Sequence, residues 1–507
     1  MHTLLTESQD RDQAMANSTP LLSETVSSEL GVPNNSEAGL QTLDEMIEWC
    51  VDGFGWQQFL QALLVSLAWF FDGQQACISD FSDAETPCDS ASDGTIYNSI
   101  ITDWGLECAS SFVTGLPTSC FYLGCLIGGF AFATLADSSL GRKNLLILSC
   151  SIMSLAALAT SFSPNFWVYS ALRLVSGFGR ASIGTSALVL STEIVGKKSR
   201  GLIGMIGLFF GTLGLLSLPA VAYLLRDASW RYLYVSTSAP AILYCLLIFF
   251  FIRESPKWLL MQGREDEAMA ILTKISPPTK HGRLKSYFLS LPNTQETTKF
   301  DLYSSIKDLF HRRWALTRLA KVIALGFGIG MMYYGMLLGV GNLGFNIYLS
   351  VTFNALLIIP SYFVSYFLLN GWNRKSTLLG FTMVSGVLSV ACAFVGSGSV
   401  EIGLELASFF CTCVAYNVLV IYTIELFPTS VRNSATSMMR QAITLGVLFD
   451  PTLISAGRDI PHLTYTVFGI AIIFCGFMVL FLPETRGTTL SDTMDEQEQR
   501  DFTFNNS

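Results

Sequence analysis

The sequence predicts an all-α membrane protein with twelve transmembrane helices in two six-helix halves and both termini in the cytosol. Three observations predict it. Of the 507 residues 51% are hydrophobic and only 14% charged, whereas a soluble chain carries about a quarter charged residues. The apolar residues gather in twelve long blocks, and about twenty such residues cross a bilayer as a helix. Charged positions also recur at one offset: Arg142/Lys143 with Arg374/Lys375, and Glu193/Arg200 with Glu425/Arg432, all 232 residues apart. Four positions sharing one offset mark two repeated halves inserted in the same orientation.

In chain order, residues 1–50 hold nine acids and one arginine among Ser, Asn and Glu, the composition of a disordered acidic cytoplasmic tail. They contain no apolar run of the signal-peptide kind, so the first helix is expected to act as signal anchor. The N-terminal half, 51–252, has expected spans at 55–78, 113–136, 143–161, 166–190, 201–224 and 232–252. Its polar segment 79–111 is extracytoplasmic on this reading, which makes Cys88 and Cys108 disulfide candidates. A basic cytoplasmic loop, 253–317, separates the halves. The C-terminal half, 318–483, has expected spans at 318–341, 345–369, 377–396, 402–424, 434–457 and 463–482. Residues 484–507 form a second acidic cytoplasmic tail with six acids against two arginines.

The net charge of −9 comes from the tails, which contribute −8 and −4 and leave about +3 for the membrane body. The acidity therefore describes no pathway for cations. With both tails cytosolic, the basic pairs Arg142/Lys143, Lys197/Lys198 and Arg374/Lys375, together with Arg200 and Arg432, fall on the cytosolic side. Arg226, Arg231 and Arg458 fall on the other, an asymmetry that satisfies the positive-inside rule.

Several function classes drop out. His2, His281, His311 and His462 all lie outside helix centres, and the Cys411–Cys413 pair lacks partner ligands, so neither a metal nor another cofactor is expected. There is no phosphate-cradling GxxxxGK[ST] loop, which excludes an ATP-driven pump. No catalytic constellation appears, so the chain reads as no enzyme, and the bilayer rather than nucleic acid is its surrounding partner. A functional monomer is expected.

The motifs narrow the field. GRK after the second span, RLVSGFG in the fourth, RESPKWLL after the sixth, IYTIELFPTSVRN after the tenth and LPETRG after the twelfth resemble the major facilitator superfamily near its sugar-porter and organic-ion branches. Within it, AWFFDGQQACI, TDWGLEC and MMYYGM resemble the plant organic cation/carnitine transporters, over about residues 50–490. The resemblance implies a substrate site between the halves near the bilayer midplane. There are departures. ADSSLG spaces Asp137 from Gly141 by one extra residue, LNGWNRK has Asn370 and Gly371 where charges are usual, and Ile358 stands where animal relatives have a glutamate.

Site residues follow. Asp72 breaks an apolar helix, and an intramembrane acid is a functional candidate by default. Counted from the outer ends of the first and fourth spans, Asp72 and Arg173 lie at similar depth, about 9 and 12 Å. They are expected to pair and to carry proton coupling, as an Asp and Arg do in sugar porters by resemblance. A pair that only fixes packing is the competing reading, and direct contact of Asp72 with a substrate ammonium is another. Arg180 is expected among polar helix contacts outside the substrate path. For substrate, Gln75, Tyr333, Tyr334 and Asp450 are the candidates: aromatic faces attract quaternary ammonium groups, and Pro451 eases a polar insertion beside Asp450, for which a hydrogen-bonded helix partner is the competing reading. Glu401 and Glu405 are expected in a solvated mouth. Asp137, Arg142, Glu193, Arg200, Arg374, Glu425 and Arg432 form the expected cytoplasmic gate; topogenic charge is the plainer alternative for the loops. The function expected is secondary transport of small organic cations or carnitine-like zwitterions with protons. A sugar or organic-anion porter, or a non-transporting receptor or scaffold, is the alternative. The plasma membrane is favoured over the vacuolar one.

Overall fold

The computed structural model describes residues 56–83, 99–106, 109–136, 140–195, 199–275, 302–339, 346–395, 398–459, 463–487, 491 and 493–505. Asp137, Cys88, Cys108 and residues 276–301 of the central loop lie outside these residues. The first half comprises α1 (Trp56–Cys77), α2 (Ser79–Ser82), α3 (Ile100–Asp103), α4 (Ser111–Ala136), α5 (Arg142–Thr160), α6 (Phe166–Arg180), α7 (Ile183–Glu193), α8 (Arg200–Leu224) and α9 (Trp230–Phe251). Between the halves lie α10 (Pro256–Met261), α11 (Glu265–Ile275) and α12 (Leu302–His311). The second half comprises α13 (Arg313–Leu338), α14 (Ile347–Gly371), α15 (Arg374–Phe394), α16 (Ser399–Leu426), α17 (Thr429–Val447), α18 (Asp450–Asp459) and α19 (Leu463–Gly476), which runs into a 3₁₀ turn; α20 (Met494–Asn505) closes the chain.

Nine helices among the described residues are long and apolar enough to cross a membrane. The other three expected spans are occupied by α1, by α6 with α7, and by α17 with α18. These are the interrupted or polar ones. The break after Arg180 falls on Ala181 and Ser182; the break before α18 falls at Leu448 and Phe449. Pro451 suits the first turn of α18, where its missing N–H has no helical partner to lose. The central segment is helical in three places rather than a plain loop, and the seventh helix starts at Arg313 rather than 318.

The 232-residue repeat reappears as packing. α1 packs on α8 as α13 packs on α17, and α4 on α6 as α14 on α16. Likewise α5 packs on α9 as α15 packs on α19. The halves meet along two matching seams, α4 against α17/α18 and α8 against α14. Small residues set the closest approaches, as is usual between membrane helices: a Cβ at Gly177 would stand 1.9 Å from the Phe121 carbonyl oxygen.

The end carrying Arg142, Lys143, Arg374 and Lys375 is termed the basic end. Toward the opposite end the halves touch directly. Thr114 Oγ1 donates to Ser455 Oγ (2.9 Å) and Ser119 Oγ to the Leu448 carbonyl (3.1 Å). Phe81 stacks on Tyr348 of α14 with ring centroids 5.5 Å apart, and Tyr223 of α8 meets the same ring edge-on.

Candidate functional site

Asp72 pairs with Arg180, not with Arg173. Arg180 Nε lies 3.0 Å from Asp72 Oδ1 and Nη2 donates to Oδ2 at 3.1 Å, a two-pronged contact with side chains only 16% and 14% exposed. The depth count missed this because the first helix does not end at residue 78. It continues as α2 to Ser82, so Asp72 lies ten residues, about 15 Å, below that end. Arg180 ends α6, fourteen residues from Phe166 or about 21 Å, whereas Arg173 is only about 10 Å down. Arg180, expected among polar helix contacts, is thus the partner of Asp72 at mid-depth, and its helix breaks immediately after it at Ala181 and Ser182.

Arg180 also faces the second half. Its guanidinium lies beside the Tyr334 hydroxyl, next to Cys125 Sγ (4.0 Å from Nη1) and 5.8 Å from the Phe121 ring centroid. Tyr122 of α4 meets Tyr334 edge-on at 5.8 Å, so the two halves touch through tyrosines here. Tyr333 packs at 5.1 Å against both Tyr334 and Tyr416, and at 5.4 Å against Phe409. The Tyr362 hydroxyl reaches Thr212 across the other seam. Asp72, Arg180, Tyr333, Tyr334, Tyr362, Tyr416 and Asn417 are all only half-buried. A bidentate ion pair walled by tyrosines therefore sits at mid-depth between the halves.

The remaining candidates are placed differently. Gln75 is 1% exposed and donates to Thr237 Oγ1 at 3.3 Å, inside the first half; Gln74 donates to Ser217 Oγ at 2.9 Å. Helical spacing turned both amides toward α8 and α9 instead of the seam. Asp450 lies in the α4/α18 seam, fully buried, with neither carboxylate oxygen hydrogen-bonded. Pro451 next to it packs against Gly115, where a Cβ would stand 2.8 Å from the proline carbonyl carbon. Glu405 corrects the solvated-mouth expectation: it is 1% exposed and accepts from Asn354 Nδ2 at 3.0 Å. It closes the second turn of α16 on the face toward α14, where packing outweighs nearness to the helix end. Tyr122, Tyr362 and Tyr416 were not singled out by sequence, since aromatic residues are abundant here and no spacing marks these three.

A family profile described as sugar (and other) transporter matches residues 53–496. The chain belongs to the sugar (and other) transporter family. It is 48% identical over 96% of its length to organic cation/carnitine transporter 3 of Arabidopsis thaliana, covering 98% of that protein. Organic cation/carnitine transporter 2 of the same plant is 47% identical over 92% of this chain and 96% of its own length. The human organic cation/carnitine transporter 2 is 30% identical over 79% and 72%. Among solved structures, the inward open xylose transporter XylE from E. coli matches with a TM-score of 0.66 at 17% identity, over 87% of this chain and 99% of that one. The fold is the major facilitator fold, and the protein is a membrane transporter rather than an enzyme.

At its basic end this family member repeats one device twice. The Glu254 carboxylate accepts the backbone N–H groups of Arg142 (2.9 Å) and Lys143 (3.0 Å), capping α5. Glu484 does the same for Arg374 (3.0 Å) and Lys375 (3.1 Å) at the start of α15. Negative charge at a helix N-terminus is favourable on both hydrogen-bonding and dipole grounds. Lys143 Nζ then bonds the Phe249 carbonyl and Lys375 Nζ the Leu480 carbonyl, at 2.9 and 2.7 Å. Glu425 bridges Arg374 (3.2 Å) and accepts from Thr485 Oγ1. Its counterpart Glu193 lies by Arg142 and Ser255. Arg432 Nε bonds the Phe427 carbonyl (3.3 Å), and Arg200 begins α8. The acids in ESPKW and PETRG are thus the acceptors that sequence spacing alone did not reveal.

The tail joins this face. Arg312, before α13, binds both Asp495 and Glu498 of α20. The Asp495 hydrogen bond raises the arginine's pKa still further.

Proposed function

We propose that this protein is a secondary active transporter that moves small organic cations, carnitine-like zwitterions among them, by alternating access coupled to protons. The observation that carries the reading is the Asp72–Arg180 pair, which abuts Tyr334 across the boundary between the halves. A cation arriving between Tyr333, Tyr334 and Tyr416 meets aromatic faces that attract a quaternary ammonium. Asp450, a buried carboxyl of the second half with no hydrogen-bond donor, supplies a counter-charge once the cation arrives and the carboxyl releases its proton to water. Protonating Asp72 would release Arg180 and loosen the contact with Tyr334, which links proton uptake to the seam between the halves. The names of the plant relatives support the substrate class.

Twelve helices cross the membrane on this reading, with the tails and the basic end cytoplasmic under the positive-inside rule. The conformation described is then closed toward the outside by the Thr114–Ser455 and Phe81–Tyr348 contacts. Asp137 with Arg142 and Glu193, and Arg374 with Glu425, together with Arg200 and Arg432, form the cytoplasmic gate whose contacts bias the two populations. The protein acts as a monomer, with the plasma membrane as its site. Uptake into proteoliposomes of a panel of quaternary ammonium ions, sugars and organic anions tests the substrate class. Preference for the anions or sugars would overturn it.

A further inference from the structure

The first half holds three acids of its first helical stretch and two guanidinium groups of α6. Asp72 and Arg180 take each other. What remains, toward the end away from the basic loops, is Arg173 with Asp80 in α2 and Asp83 just after it: one fixed cation for two carboxyls. Arg173 is fully buried, and none of its three guanidinium nitrogens has a hydrogen-bond partner. It lies 4.2 Å from the Phe121 ring centroid and 5.9 Å from that of Tyr234, within electrostatic reach of both acids.

The two carboxyls differ in their surroundings. Asp83 Oδ1 accepts from Ser82 Oγ at 2.6 Å and from the Tyr169 hydroxyl at 3.1 Å, and Oδ2 accepts from Thr118 Oγ1 at 3.3 Å. Asp80 Oδ2 is buried with no hydrogen-bond partner, and its polar neighbour is the Cys77 thiol. A buried carboxylate without a counter-ion takes a proton rather than bear the desolvation cost. Two carboxylates facing one guanidinium leave one negative charge over, so the pair holds one proton. Three donated hydrogen bonds favour the ionised form, which leaves Asp83 as the anion opposite Arg173.

We infer that Asp80 is a second proton-binding site, separate from the mid-depth Asp72–Arg180 pair and set toward the end of the transport path away from the basic loops. The inference deepens the proton-coupled reading above and rests on it for its role in transport. The groups facing the site are Cys77 and Asp83 from its own stretch, Tyr122 of α4, Tyr169 and Arg173 of α6, and Tyr234 of α9. The Tyr122 hydroxyl is engaged with the Ala76 carbonyl (3.2 Å), and Tyr169 and Tyr234 bond each other (2.7 Å). Phe81, the residue after Asp80, stacks on Tyr348 of the other half. Parting the halves at this end lifts that ring away and admits water, which solvates a second carboxylate and lets the proton leave. Closing the seam requires the proton back.

The test is an infrared count of protonated carboxylic acids in the purified full-length protein at neutral pH. Asp80→Asn should remove one carboxylic-acid carbonyl band. Asp83→Asn should remove one as well, because Asp80 then ionises against Arg173. Asp72→Asn should remove none, and Arg173→Gln should add one. Unchanged spectra in both Asp80→Asn and Asp83→Asn overturn the inference, and either variant alone suffices should the other fail to fold. In proteoliposomes Asp80→Asn should accumulate a radiolabelled quaternary ammonium no further under a pH gradient than without one; gradient-driven accumulation at the wild-type level overturns the role in transport. Wild-type protein that ignores the gradient refutes the coupling reading instead, while the infrared count still decides the proton site.

Discussion

Replacing Asp72 by Asn leaves the Arg180 guanidinium at mid-depth, 16% exposed, without its carboxylate. Breaking a buried pair by removing one partner costs about 3–5 kcal/mol. The residual exposure and the Phe121 ring at 5.8 Å, a contact worth about 0.5–1 kcal/mol, reduce that to about 2–3 kcal/mol. Arg180→Gln strands the carboxylate, which recovers part of its cost by taking a proton, so about 2 kcal/mol is expected. The double variant removes both charges and should cost little more than either single change, giving a coupling of about 2 kcal/mol. Reversible denaturation in mixed micelles, followed by far-ultraviolet circular dichroism, measures all four corners of the cycle. The same cycle with Arg173→Gln in place of Arg180→Gln should be additive within about 0.5 kcal/mol. Coupling to Arg173 that exceeds coupling to Arg180 would refute the pairing and the depth argument behind it.

Further outcomes are expected elsewhere. Glu254→Gln and Glu484→Gln each weaken a carboxylate that accepts two backbone N–H groups, at about 0.5–2 kcal/mol apiece; thermal unfolding should show similar losses for the two, and a loss in only one would deny the repeat its structural meaning. Gly115→Leu puts a side chain against the Pro451 backbone and should hold the halves apart at the end away from the basic loops. Cysteine labelling at Thr114 from that side should then rise while transport stops; unchanged labelling counts against closure there. Asp450→Asn should weaken binding of a quaternary ammonium at least about tenfold, or roughly 1.4 kcal/mol, without lowering thermal stability, since the carboxyl has no partner to lose. Unaltered affinity removes Asp450 from the substrate site.

Much of the architecture was legible because hydrophobic length and charge repetition act locally. The Arg–Lys and Glu offsets anticipated the matching helix contacts and the twin basic-end devices. Tyr334 does reach the seam, whereas Asp450 lacks the hydrogen-bonded helix partner that was its competing reading. Legibility failed where a helix bends or runs on. The extension of α1 into α2 moved Asp72 down to Arg180, and one turn of error in an end point is enough to change an ion-pair partner. Gln75 shows the same limit in angle: adjacent residues differ by about 100° around a helix, so which one faces a seam depends on packing that spacing does not encode. Glu405 was misjudged because nearness to a helix end implied water, whereas Asn354 and the neighbouring helix bury it. The Glu254 and Glu484 caps stood in recognisable motifs, yet their acceptors become clear only once α5 and α15 bring their N-termini alongside.

The most direct measurement is uptake of a radiolabelled quaternary ammonium into proteoliposomes under an imposed pH gradient, for wild type and Asp72→Asn. Wild type should accumulate the cation above its equilibrium level, whereas Asp72→Asn should lose that accumulation yet retain exchange of internal for external label. Full pH-driven accumulation by Asp72→Asn would contradict the role of the Asp72–Arg180 pair in coupling.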